Sequence, residues 1–202
     1  MYRLTCSLLN NWLYATDPEA DEKAYTAFLD ALERKKKPKS KAMTAGIDFE
    51  AMVNAYAMDN PSGKVVMPEN AATLKAVTQF GNRCRGGQLQ VREEKKILLA
   101  GMDIQLVGVA DCLKCGIIYD MKRVQRYEYG KYQFSAQHPM YLELFPEALR
   151  FDYLIFDGAY CYREQYRRGD CETIQAIGLR FLRYLEDADL MDIYQKHWRA
   201  EE

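Results

Sequence analysis

No stretch of this sequence approaches the ~20 consecutive apolar residues that a membrane-spanning helix needs, which argues against a helical membrane protein. An excess of one charge is missing too. The chain has 28 lysines and arginines against 29 acids, so its formal charge of -1 gives no global pull toward nucleic acid, lipid or acidic substrates. Any such partner has to be met by local charge. The opening segment MYRLTCSLLNNWLYATD has a broken apolar run and no small-residue cleavage site, and it does not read as a secretory signal. Cys6, Cys84, Cys112, Cys115, Cys161 and Cys171 are scattered over a chain long enough to fold without staples. That pattern fits reduced thiols and a cytoplasmic protein better than a secreted disulfide framework. There is no internal repeat and no low-complexity linker.

What is present is enough apolar residue for one sizeable core: 49% of 202 residues are hydrophobic. A single domain over 1–202 is expected, mainly helical in 1–85 and sheet-containing in 86–202. In the helical part, Thr5 or Ser7 can cap SLLNNWLYA, and Asp17 with Pro18 can start a helix in which Ala24, Phe28, Leu29 and Leu32 recur at helical spacing. TAGIDFEAMVNAYAM puts Phe49, Met52, Val53 and Tyr56 on one stripe, with Glu50 at its edge. PENAATLKAVTQFGNR reads as a further helix stopped by Gly81. From Gln88 onward the pattern becomes strand-like, and three antiparallel strands end at GIIYDMKRV. A helix near FSAQHPMYLELF, two strands, and one amphipathic helix over 171–198 complete the order. The fold class is α/β (α+β), a central mixed β-sheet containing an antiparallel three-strand meander and flanked by helices.

Side chains alternate along a strand, so Ile118, Asp120 and Lys122 share one face. If Lys114 and Cys115 form a two-residue turn, Asp111 faces Ile118 and joins that face. A three-residue loop would flip this parity. Two carboxylates on a mostly buried strand repel each other and lose hydration, which calls for a cation between them. Lys122 offsets one charge, and a hard divalent ion suits both. The bland alternative is an exposed hairpin carrying a surface Asp/Lys pair.

Together, GVAD, YDMK and QHPMY resemble the PD-(D/E)XK nuclease superfamily in its RecB-like, phage-type exonuclease branch. There, an aspartate on one strand, D-x-K on the next and Q-x-x-x-Y on the following helix recur in this order. They match Asp111, Asp120 with Lys122, and Gln137 with Tyr141. Ala110 stands where the superfamily's proline would be, and Pro139 falls inside the helix motif, where a kink or a late start would alter how Gln137 and Tyr141 are presented.

The resemblance implies a restriction-endonuclease-like core and hydrolysis of DNA phosphodiesters. Mg2+ or Mn2+ would be held by Asp111, Asp120, the Met121 carbonyl and Glu50, with Asp48 as Glu50's nearest rival. Lys122 would act by electrostatic positioning, and Gln137 and Tyr141 would place the nucleic acid. The segment KRVQRYEYGKYQF interleaves cations with aromatics, which suits strand binding by charge and stacking. Arg123, Arg126, Lys131, Tyr132 and Ser135 are its candidate contacts. RKKKPKSK, residues 34–41, reads either as a phosphate grip or as a solvated helix end. Cys112 and Cys115 have the spacing of a metal hook, but further ligands are missing and an iron–sulfur cluster is disfavoured. His138, beside the motif, is a candidate phosphate contact. The implied activity is a metal-dependent DNA exonuclease processing ends in phage or prophage recombination or repair, with a single-strand-annealing recombinase as a candidate partner and a homo-oligomer allowed. The alternatives are an endonuclease on the same fold, or an inactive relative that binds DNA or a protein.

Overall fold

The meander expected from Gln88 to Arg123 forms, and the rest of the sheet is assembled on its middle strand. The computed structural model of the chain describes residues 1–58, 68 and 70–200. Its strands are β1 (Tyr2–Thr5), β2 (Gln88–Leu99), β3 (Met102–Lys114), β4 (Ile117–Arg123), β5 (Arg150–Phe156) and β6 (Cys161–Tyr166). Its helices are α1 (Cys6–Ala15), α2 (Glu22–Leu32), α3 (Lys41–Ala57), α4 (Ala71–Cys84), α5 (Gln137–Leu144), α6 (Ile174–Asp187) and α7 (Met191–His197). The sheet runs β1-β3-β4-β5-β6 with β2 against β3, and it is mixed: β1–β3 and β4–β5 are parallel, the other pairs antiparallel.

One property of β3 positions everything that follows. β2 covers one side of it from end to end, whereas the other side holds β1 only at Ile104–Val107 and β4 only at Cys112–Lys114. Among the described residues, no strand therefore lies beside 108–111 on that side. α5 packs there: a Cβ on Gly108 would come within 2.7 Å of Leu144 Cδ1 and 3.2 Å of Tyr141 Cζ, so the glycine is what lets the helix close on the strand.

Two cores lie on the sheet. The larger joins Leu4, Leu106, Ile118, Met140, Phe151 and Ile155 to Trp12, Phe28 and Phe181 of the helices. The smaller joins Phe49, Val53, Val77 and Phe80 of α3 and α4 to Tyr119, Met121, Leu154 and Phe156. β2 is an edge strand, and its exposed run Arg92, Glu93 and Glu94 fits an edge kept from pairing with other chains by charge.

Several expectations are corrected. The helical reading of the first eighty residues passed over β1, which is too short to carry a period and is a strand because β3 offers it a buried edge. Thr5 does cap α1, accepting from Leu8 N–H. α2 is capped by Asp21 rather than started at Asp17. α4 begins at Ala71 under an Asn70 cap, with Glu69 outside the described residues, and it continues through Gly81 to Cys84. A Cβ on Gly81 would lie 2.4 Å from Tyr56 Cδ1, so this glycine serves close packing of α3 on α4 and not helix termination. The C-terminal helix is two: Asp189 adopts φ 56° and Leu190 N–H returns to Leu185 O at 2.8 Å, a left-handed stop that ends α6 before α7 begins.

Candidate active site

The β3–β4 turn is formed by Cys115 and Gly116, one residue later than expected. Both have positive φ, 50° and 72°, as the tight hairpin turn requires, and the glycine favours this placement over Lys114-Cys115. Cys112 therefore pairs with Tyr119, and Leu113 with Ile118. Continuing that register sets Asp111 opposite Asp120, not opposite Ile118. The parity is unchanged, because the hairpin is still closed by two residues.

At Asp111 the ladder gives way on both sides. Toward β4, its Oδ2 accepts the Met121 N–H at 2.8 Å, a side chain taking the place of a backbone partner. Toward β2, pairing skips from Leu89–Cys112 to Val91–Ala110, and the residue between, Gln90, sits at φ 52°. A left-handed residue within a strand is strained by roughly 1–2 kcal/mol. The strand also changes sides here: Ile104, Leu106 and Ala110 belong to the larger core and Cys112 to the smaller.

Asp120 is buried, and the residues around it divide its two oxygens. Lys122 Nζ lies 2.7 Å from Oδ2, and the Gln137 amide donates to Oδ1. Burial pulls the Lys122 pKa down, but the charge of Asp120, with help from Asp111, outweighs it and leaves the ammonium above its ordinary value. Burial, then Asp120, then Glu50 push the Asp111 carboxyl well above the usual aspartate range, against the opposing pull of Met121 N–H and Lys122. Glu50 on α3 is also raised, first by burial and then by Asp120, while the Gln90 amide holds its Oε1 at 2.7 Å. Glu50, rather than Asp48, is thus the helix acid among the main influences on Asp111. Asp111, Asp120 and Glu50 thus act on one another electrostatically around a single ammonium, that of Lys122. Asp152 is the contrast: equally buried, it is held by Arg150 at 2.6 Å and approached by Arg163 at 3.9 Å, so its charge is offset within the protein.

α5 begins at Gln137, so Pro139 lies in the first turn, where backbone N–H groups have no helical acceptor and a proline removes no helical hydrogen bond. Gln137 reaches the acid cluster. Tyr141 is engaged otherwise: its hydroxyl donates to Val109 O at 2.8 Å and accepts from Val109 N–H at 3.2 Å, filling the gap in the sheet. Ser135 serves the helix start, accepting from Gln137 N–H at 3.2 Å, while Asn10 of α1 accepts from Ala136 N–H at 2.8 Å. Tyr132 stacks on Tyr153 at 4.5 Å. Arg126 is exposed and pairs with Glu128 at 3.0 Å, and Lys131 is exposed on the same loop.

Arg123 packs over Phe156 and lines a cavity of about 450 Å³ with Lys41 and Asp157. Lys35 and Lys37 of the basic run both reach Asp30, at 3.1 and 3.0 Å, and so belong to the end of α2. Lys41, from the same run, is brought beside Arg123. Of the CxxC pair, Cys112 is buried against Cys84 O at 3.8 Å, and Cys115 is exposed at the turn. His138 is fully buried, stacked on Tyr166 at 4.0 Å, with Nδ1 3.3 Å from Tyr153 Oη. That burial lowers its pKa to about 4 and removes it from any exposed phosphate. Gln90 and Asn10, which hold Glu50 and the α5 start, carried no signal in the sequence. Each acts on a residue at least forty positions away.

Among the described residues, no group of three or more His, Cys, Asp or Glu is arranged to hold a metal ion, and no helix is long and apolar enough to cross a membrane. Asp111, Asp120 and Glu50 supply carboxylate oxygens, the donor type that a hard divalent cation takes.

No protein-family model matches the chain, and no curated protein matches it. The solved structure described as SSO0001 is similar at 14% identity with a TM-score of 0.53, over 95% of this chain and 77% of that one. At that identity the likeness concerns the fold alone: an α/β chain with a mixed sheet flanked by helices.

Proposed function

We propose that this protein is a metal-dependent deoxyribonuclease of the PD-(D/E)XK type, acting as an exonuclease on DNA ends. The observation that carries the reading is the clustering of Asp111, Asp120 and Glu50 around one Lys122, at the point where β3 and β4 separate. A buried acid cluster with one ammonium among three carboxyl groups is unfavourable for folding when ionised, and a divalent cation is the partner that would balance it. Asp111, Asp120 and Glu50 would hold Mg2+ or Mn2+, with the Met121 carbonyl beside them. The ion supplies polarisation of a phosphate oxygen and a more acidic bound water.

Lys122 remains charged beside Asp120, so it orients and stabilises an anionic phosphate and does not abstract a proton. Gln137 fixes one oxygen of Asp120 and keeps that carboxylate turned. Arg123 and Lys41, facing one cleft, suit a backbone phosphate next to the scissile one. Linear and closed circular DNA incubated with Mg2+ test the reading. Loss of linear DNA alone is expected, falling by about 100–1000-fold in Lys122→Ala. Nicked circles would make it an endonuclease, and no cleavage in Mg2+ or Mn2+ would leave a relative that only binds. Titration of Mn2+ by calorimetry, with Asp120→Asn as the control, reads the ion independently of cleavage.

A further inference from the structure

The loop over 124–136 treats its aromatics in two ways. Tyr127 and Tyr132 are anchors: Tyr127 lies 4.5 Å from the Tyr162 ring and donates to Glu164 Oε1 at 2.7 Å, while Tyr132 stacks on Tyr153. From Glu128 to Gln133 the backbone is braced by Lys131 N–H to Glu128 O at 3.2 Å and Gln133 N–H to Gly130 O at 2.9 Å. On this braced segment Tyr129 is 91% exposed. With Gln133 it lines a cavity of about 520 Å³, together with Arg163, Glu164, Gln165 and Tyr166 of β6 and with Asp170. β6 ends the strand order, and among the described residues no strand pairs with its outer edge.

The chemistry of this cavity is not that of a phosphate site, since Glu164 and Asp170 stand against Arg163 alone. An aromatic face, an amide and a free strand edge suit a flat, neutral ring with donors and acceptors around it. Position narrows the choice further. Tyr153 pairs with both Asp120 and Glu164, so Glu164, which lines the cavity, lies two strand spacings from Asp120, about 10 Å. A strand held at the acid cluster can therefore reach the cavity with a neighbouring nucleotide.

We propose that this cavity takes an unpaired nucleobase stacked on Tyr129, so that the substrate of the acid cluster is a single-stranded or frayed DNA end. A base within a duplex would first have to be unstacked, whereas one in a single strand is free to enter. The inference rests on the nuclease reading and names the form of its substrate.

The test uses the full chain in EDTA, so that nothing is cleaved, with short oligodeoxynucleotides carrying 2-aminopurine near one end, as single strands and as blunt duplexes. Tighter binding of the single strand is expected, with the 2-aminopurine fluorescence quenched. Tyr129→Ala should weaken single-strand binding by about 10-fold and remove the quench, while Tyr129→Phe keeps both. The side chain is exposed, so the alanine variant is not expected to threaten folding. Equal binding of both forms, with Tyr129→Ala unchanged, overturns the base site while DNA cleavage by the wild type leaves the nuclease reading standing. Absence of both cleavage and binding overturns the two together.

Discussion

The two halves of β3 differ in what satisfies their backbone. Ile104–Val107 is enclosed by β1 and β2, its ladder is complete, and Ile104 and Leu106 are fully buried. Beside residues 108–111 no strand lies on one side among the described residues, and side chains do the work of a strand: the Tyr141 hydroxyl serves Val109, and the Asp111 carboxylate takes Met121 N–H. Where the ladder is whole, the strand is packing. Where it is interrupted, polar side chains are drawn into the sheet and a charged site forms between diverging strands.

Truncation in the complete half should give the largest loss of stability. Leu106→Ala is expected to cost about 2–5 kcal/mol, read from the urea midpoint, with cleavage per folded molecule unaltered. A change in cleavage would show that the halves are not separable.

His138, in the first turn of the helix that fills the gap, gives the next effect. Its native pKa of about 4 lies below the unfolded value of about 6.5, so the unfolded chain takes up the proton first as pH falls. The stability it permits is complete above about pH 6.5 and is lost as pH falls toward about 4, amounting to about 3 kcal/mol. Urea midpoints across that range should show the slope, and His138→Phe, which keeps a ring against Tyr166, should flatten it. Parallel slopes in the two proteins would refute the assignment.

Tyr141→Phe tests the substitute for the missing strand. Leaving Val109 N–H and C=O without their partner should cost about 1–3 kcal/mol and speed hydrogen exchange at the Val109 amide. Unchanged protection there would mean that Tyr141 contributes packing alone.

The smallest effect has the opposite sign. The Asp111 carboxyl is held well above its ordinary pKa by burial and by Asp120 and Glu50, so its charge opposes folding at neutral pH. The metal-free Asp111→Asn protein is expected to be more stable by about 0.5–2 kcal/mol while cleaving no DNA. A less stable variant would mean that the bond to Met121 outweighs the repulsion.

Much of the candidate site was legible in short-range pattern. Alternation put Asp120 and Lys122 together, and a two-residue hairpin added Asp111 even with the turn placed one residue early. The stripe of Phe49, Met52 and Val53 fixed which side of α3 is buried and left Glu50 at its edge. Less legible were the parts that depend on distant partners. β1 is a strand only because β3 has an open side, Gln90 bends only where Asp111 leaves the ladder, and Tyr132 and Ser135, read as nucleic-acid contacts, are occupied by Tyr153 and Gln137.

The sequence by itself determined most of the elements and their faces, β1 and the break between α6 and α7 excepted, because helix caps, glycine turns and apolar periods act over a few residues. Tertiary structure alone decided that β1 and β4 flank β3 without meeting, that α5 closes the gap between them, and that Glu50 comes over it. Those outcomes depend on which buried surfaces and unpaired backbone groups find each other across the chain, and no local pattern encodes that choice.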